Sequence, residues 1–172
     1  GGYDEVRRLG RKSGSERSPA QTAAASFWAG NTPDLAMRML SSDPRRPLVQ
    51  NARLYALVGM ALADATAAVT TAKYDNHFWR PITAIRNGDS DGNDATRPDG
   101  AWEPLLRTPA HPEYPCGHCI QAATVATILA AEFGQDARLT FIDPTMPGAS
   151  QTVTPAEYVA AVSMSRIYAG VH

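Results

Sequence analysis

His111-Pro112-Glu113-Tyr114-Pro115-Cys116-Gly117-His118-Cys119 joins a polar, proline-rich loop to the apolar run Ile120 to Phe133. Two histidines, two cysteines and a glycine thus gather where a helix is expected to begin. Free backbone N–H groups and the positive end of a helix dipole collect anions at such a point. Two chemistries compete for the stretch. Cys-Gly-His-Cys is a C-x-x-C pair, which can be redox-active when a helix N-terminus lowers a thiol pKa. Alternatively, Gly117 and His118 form an oxyanion site, with backbone amides for oxygen atoms and an imidazole for proton transfer. These residues alone leave both open.

Downstream, the helix over Gly117 to Phe133 should stop at Gly134. Thr140 to Gln151 reads as irregular, with at most a short extended piece. Thr154-Pro155-Ala156-Glu157 is a capping box that opens a helix from Pro155 to about Tyr168. Upstream, Asn87 to Pro115 is a long loop of Asn, Asp, Gly and Pro, and loops of that length are commonly functional. Its Asp89, Asp91, Asn93 and Asp94 lack the later bidentate glutamate of an EF-hand, so they read as a solvated turn.

The best helical pattern runs from Pro47 toward Lys73, at least about seven turns. Leu48, Leu54, Leu57, Val58, Ala61, Leu62 and Ala65 make its apolar stripe. Before it, Ser18-Pro19-Ala20-Gln21 is another capping box, for a helix through Trp28, and Thr32-Pro33-Asp34 starts one through Met39. Residues 1–17 read as a flexible lead-in. The fold expectation is an all-α helical bundle, with 18–172 as one helical catalytic domain incomplete at one or both ends.

The 172 residues suit one sizeable core, and a formal net charge of −1 gives no reason to expect nucleic acid or an anionic membrane. Any anion site must be a local cluster of cations. The longest apolar run, Ala56 to Ala72, is short for a span and contains Asp64, so no membrane span is expected. Two cysteines are too few for a disulfide scaffold. No thioredoxin-like βαβ context flanks them, which disfavours a thiol–disulfide protein.

Lys73-Tyr74-Asp75-Asn76-His77-Phe78-Trp79-Arg80-Pro81 sets two cations two helical turns apart, so one helix face would present both to an oxyanion. Ser165-Arg166 precedes His172 by a short spacer in which Gly170 breaks the helix and turns the imidazole back. Lys-x6-Arg-Pro, Pro-x-Gly-His and Ser-Arg-x5-His, in that order, resemble the three-part signature of one superfamily. Its members include vanadium-dependent haloperoxidases and type-2 phosphatidic acid phosphatases.

The resemblance covers Lys73 to His172 and implies a set of roles. Lys73, Arg80 and Arg166 would neutralise the oxygens of vanadate or phosphate, and Gly117 would donate its backbone N–H. His118 would act as acid and base. His172 would be the vanadium ligand, or the nucleophile on phosphorus in a phosphatase. Cys116 stands where the family usually has serine, so a weaker S–H donor would face the anion. His111 occupies a position where bromide-type haloperoxidases often carry histidine, a candidate modulator. The implied reaction is halide oxidation by hydrogen peroxide at histidine-bound vanadate, bromide before chloride, with Lys73 polarising the bound peroxide. The alternative is a phosphate monoesterase with a phosphohistidine intermediate. The resemblance also suggests a periplasmic or secreted location.

Overall fold

Pro47 caps the start of the longest helix because its fixed φ suits a helix entrance, and no further proline interrupts the chain until Pro81. The computed structural model describes residues 2–30 and 46–172. Its elements are α1 (Gly2–Leu9), α2 (Pro19–Phe27), α3 (Leu48–Asn76), α4 (Pro81–Arg86), α5 (Gly117–Phe133), β1 (Leu139–Ile142), β2 (Ser150–Val153) and α6 (Pro155–Ala169). The helix expected from Thr32 lies outside the described residues. Mostly helical, the chain keeps one two-stranded antiparallel hairpin, in which Leu139 pairs with Val153 and Ile142 with Ser150. That hairpin falls in the stretch read as irregular. A pair of four-residue strands is too short for its alternation to stand out in sequence.

Both capping boxes form. Ser18 Oγ accepts from the Gln21 N–H at 3.2 Å, and Gln21 Oε1 accepts from the Ser18 N–H at 2.8 Å. Thr154 and Glu157 repeat the exchange at 3.2 and 2.8 Å. Each box satisfies two orphan donors of its first turn. Residues 2–9, read as part of a flexible lead-in, are helical. Asp4 and Glu5 lie in the first turn and Arg7 and Arg8 in the last, which suits the helix dipole. Val6 is buried with Ile85 and Trp102, and the Trp102 Nε1–H donates to the Arg7 carbonyl at 3.0 Å. The long loop is thereby pinned beneath α1 and α4.

α5 packs between α3 and α6, and α2 lies on α6. The main core joins Leu54, Val58 and Leu62 of α3 to Val125 and Leu129 of α5, with Trp28, Phe141 and Tyr158 beneath. Phe141 and Tyr158 stack at 4.5 Å between ring centroids, and Trp28 meets Phe141 edge-on at 5.4 Å. The buried face of α3 is narrower than its composition suggests. Leu54, Val58, Leu62, Val69 and Lys73 are buried, whereas Leu48 and Leu57 are exposed. The segment Leu48–Arg86 is long and apolar enough to cross a membrane by length and composition. Its buried side nonetheless packs into the core and ends at charged residues.

Two glycines fasten the last turn. Gly170 has φ +74°, and an added Cβ would lie 2.4 Å from the Gly10 carbonyl oxygen. A Cβ on Gly10 would in turn lie 2.6 Å from Gly170 Cα. Only glycine permits both the left-handed cap and the close backbone approach. The cap ends α6 and sends the Val171 and His172 N–H groups back to the Arg166 carbonyl, at 3.2 and 3.4 Å.

Candidate functional site

The end of α3 decides where its cations go. The helix continues to Asn76, and His77 then adopts φ 50°, a left-handed turn whose N–H bonds the Lys73 carbonyl at 3.0 Å. Arg80 is therefore not on the same helix as Lys73. It is the extended N-cap of α4, as expected of a residue before proline. The expectation of one helix face carrying both cations is corrected: a sharp turn, not helical spacing, brings them together.

Lys73, Arg80, His111, Gly117, His118, Arg166 and His172 all line one cavity of about 210 Å³, beside Thr66 and Gln121. Lys73, Arg80 and Arg166 are nearly fully buried. The 111–113 loop lies over the first two. Lys73 Nζ donates to the Pro112 and Glu113 carbonyls, both at 2.8 Å. Arg80 Nε donates to the His111 carbonyl at 3.0 Å, and Nη1 to the Val171 carbonyl at 2.7 Å. Ser165 Oγ accepts from Arg166 Nε at 3.1 Å and Nη2 at 3.0 Å, which fixes that guanidinium. Each cation retains at least one N–H with no partner among the described residues, since an ammonium has three and a guanidinium five.

Burial, and then the neighbouring Arg80, pull the Lys73 pKa down to about 8, while Glu113 opposes them. Burial takes Arg166 down to about 10. Both stay protonated at neutral pH. His118, at the start of α5, is pushed down to about 4 by burial, then by Arg166 and His172. The nearby Ala29 and Gly30 backbone opposes the shift. Burial also lowers His111 below the usual imidazole range, helped by Arg80 and Lys73. Arg80 Nη2 contacts His111 Nδ1 at 3.0 Å.

Glu113 belongs to the opening stretch but received no role from sequence reasoning. Its carboxylate pairs with His172 Nδ1. Arg80 Nη1 lies 3.1 Å from His172 Nε2 and can only donate. The network therefore assigns the proton to Nδ1 and leaves Nε2 as the acceptor of the Arg80 N–H. Burial lowers the His172 pKa below the ordinary imidazole value, and the hydrogen bond to Glu113 opposes the shift. Glu113 could have been suspected from sequence only as an acid lodged among cations.

Cys116 corrects a second expectation. Its sulfur is bonded to Cys119, with Cα atoms 5.3 Å apart, a separation usual for disulfides. The sulfur has no proton to donate and instead accepts the Cys119 N–H at 3.2 Å. It also does not line the cavity. The C-x-x-C pair sits at the N-terminus of α5 with no β-strand before it among the described residues, unlike a thioredoxin-type motif.

The helical bundle thus brings three buried cations and three imidazoles, those of His111, His118 and His172, to one cavity. The family model described as the VCPO second helical-bundle domain matches residues 53–172, and the chain belongs to that family, within the vanadium haloperoxidase superfamily. A solved bacterial vanadium-dependent iodoperoxidase is similar in fold, with a TM-score of 0.81 at 21% identity. The match covers 99% of this chain and 43% of that one, so this chain spans under half of its length. No curated protein matches the chain.

Proposed function

We propose that the chain carries the catalytic site of a vanadium-dependent haloperoxidase that oxidises halide with hydrogen peroxide. One observation carries the reading: three buried cations with N–H groups to spare line one cavity with His172, whose unprotonated Nε2 accepts from Arg80. That donor set fits a tetrahedral oxyanion. Protonated Lys73, Arg80 and Arg166 offset charge on its oxygens in a site where water screens poorly.

Under this reading His172 Nε2 would be the ligand to vanadium, with the Glu113 carboxylate holding the ring's tautomer and orientation. Lewis-acid activation of peroxide toward halide is the chemistry the bound vanadate supplies, without change of oxidation state. Lys73 Nζ, held by two carbonyls, would have one N–H left to offer the bound oxyanion. The Gly117 N–H, free at the helix start, would contribute one fixed donor. His118 is neutral in the anion-free site, and an anion's charge would offset Arg166 and raise its pKa. It could then take and return protons near neutrality. Bromide is the proposed halide, with His111 beside Arg80 as its modulator. The Cys116–Cys119 disulfide suits the oxidising, periplasmic or secreted location we propose.

Isothermal titration with orthovanadate and, in parallel, phosphate tests the reading, with His172→Ala as control. A dye-bromination assay on the vanadate-loaded protein follows. The expected result is vanadate binding that the substitution abolishes, together with peroxide-dependent bromination. Binding of both anions without bromination would replace the proposal by a phosphatase that uses His172 as nucleophile. Binding of neither would sink both.

A further inference from the structure

A second cleft, of about 330 Å³, opens on the far side of His172. Among the described residues it shares only His172 with the cation-lined cavity. Its walls are otherwise of a different kind. Val6 of α1, Ile85 of α4 and Ile167 of α6 form an apolar floor, and Phe78 and Trp79 form the rim. Phe78 is 62% and Trp79 47% exposed, and Tyr114, also exposed, lies 6.3 Å from Phe78 between ring centroids. Large aromatics left in water at the edge of an apolar cleft favour a flat, apolar occupant.

Charge narrows the choice. Glu5 and Glu113 line the cleft, and among the described residues no lysine or arginine does. An anionic ligand would meet two carboxylates with no paired cation. A cationic one would approach Lys73 and Arg80 behind Glu113. An uncharged molecule escapes both penalties. The volume is at the small end of ligand pockets, enough for a single ring system.

We infer that this cleft binds a small uncharged aromatic molecule, the organic acceptor of the halogen oxidised in the adjoining cavity. The acceptor role rests on the haloperoxidase reading, whereas the binding itself does not. In the transfer, a ring carbon attacks the halogen of hypohalous acid and the oxygen–halogen bond breaks. The ring proton then leaves with the released hydroxide as water. Hydrogen peroxide is the oxidant that forms the hypohalous acid from halide. His172 forms the partition between the cavities, so the acceptor lies within reach of oxidised halogen before it escapes to solvent.

The test uses the full chain and phenol as probe, with 4-hydroxybenzoate as the anionic comparator. Ala84→Leu fills the cleft from α4, and Ala84 does not itself line the cation-lined cavity. Saturation-transfer NMR should show phenol bound at least about fivefold more tightly than 4-hydroxybenzoate, and at least about fivefold more weakly by Ala84→Leu. Orthovanadate affinity should not change in the variant. Equal phenol binding by wild type and variant would overturn the site. With vanadate, peroxide and bromide, a mixture of the two phenols should give a higher ratio of bromophenol to brominated benzoate than free hypobromous acid gives. Ala84→Leu should return that ratio to the free-reagent value. A wild-type ratio equal to the free reagent's would overturn the acceptor role. Phenol binding with no bromination at all would overturn the haloperoxidase reading and the acceptor role together, while upholding the cleft as a binding site.

Discussion

Gly117 is the first residue of α5, and a Cβ added there would meet only Lys73 Cε, at 3.8 Å. That distance is ordinary van der Waals contact, and the position needs no left-handed backbone. Gly117→Ala should therefore fold. By reducing the freedom of the unfolded chain it should gain about 0.4–1 kcal/mol, raising Tm by about 1–4 °C for a chain of this size. The new methyl group, however, would stand in the cavity between the helix start and Lys73, where the proposed anion meets the Gly117 N–H. Losing one charge-assisted hydrogen bond costs about 1.5–3 kcal/mol, so orthovanadate should bind about 10- to 150-fold more weakly. Differential scanning calorimetry reads the first number and isothermal titration the second. A more stable variant with wild-type vanadate affinity would refute the placement of the oxyanion over this N–H. A variant that loses stability would refute the steric argument.

His118 makes stability depend on pH. Its pKa falls from the ordinary imidazole value near 6.5 to about 4 on folding, so the unfolded chain binds more protons between those values. Anion-free protein should lose stability as pH drops from about 6.5 to 4, up to about 3 kcal/mol from this group, and His118→Gln should show a shallower slope in urea melts. Glu113→Ala should weaken orthovanadate binding about 10- to 100-fold by freeing the His172 ring. Glu113→Gln, whose amide oxygen can still accept from Nδ1, should recover part of the loss, and a purely structural role predicts no such rescue at equal Tm. Gly10→Ala forces apart the backbones of residues 10 and 170 and should cost both stability and vanadate affinity, though it lies outside the cavity. Unchanged affinity would show that His172 is held by other contacts. Reducing Cys116–Cys119 with dithiothreitol should leave vanadate affinity within about twofold, because the sulfurs do not line the cavity and give the anion no donor. A large change would restore Cys116 to the site.

Local patterns in this chain were readable because their causes are local. Ser18 with Gln21 and Thr154 with Glu157 satisfy each other's backbone within one turn, so both capping boxes could be named from spacing. The turn-back of His172 follows from one glycine after a helical run. The three motifs pointed to the right superfamily because each keeps its chemistry in a short window. The helix at residues 2–9 was missed because it has a single buried apolar residue, Val6, and depends on packing against Trp102 and Ile85. The exposure of Leu48 and Leu57 was equally hidden, since periodicity marks a stripe but not its width.

Sequence by itself determined the helical class, the capped starts of α2 and α6, and the order of cations and imidazoles along the chain. Only the tertiary structure decided that Lys73 and Arg80 meet across a left-handed turn at His77, that Glu113 holds His172, and that Cys116 is bonded to Cys119 and does not line the cavity. The physical reason is that these depend on contacts between segments far apart in the chain. Arg80 finds His172 and Lys73 finds the Glu113 carbonyl only after α3, α5 and α6 have packed and brought buried charge to one place.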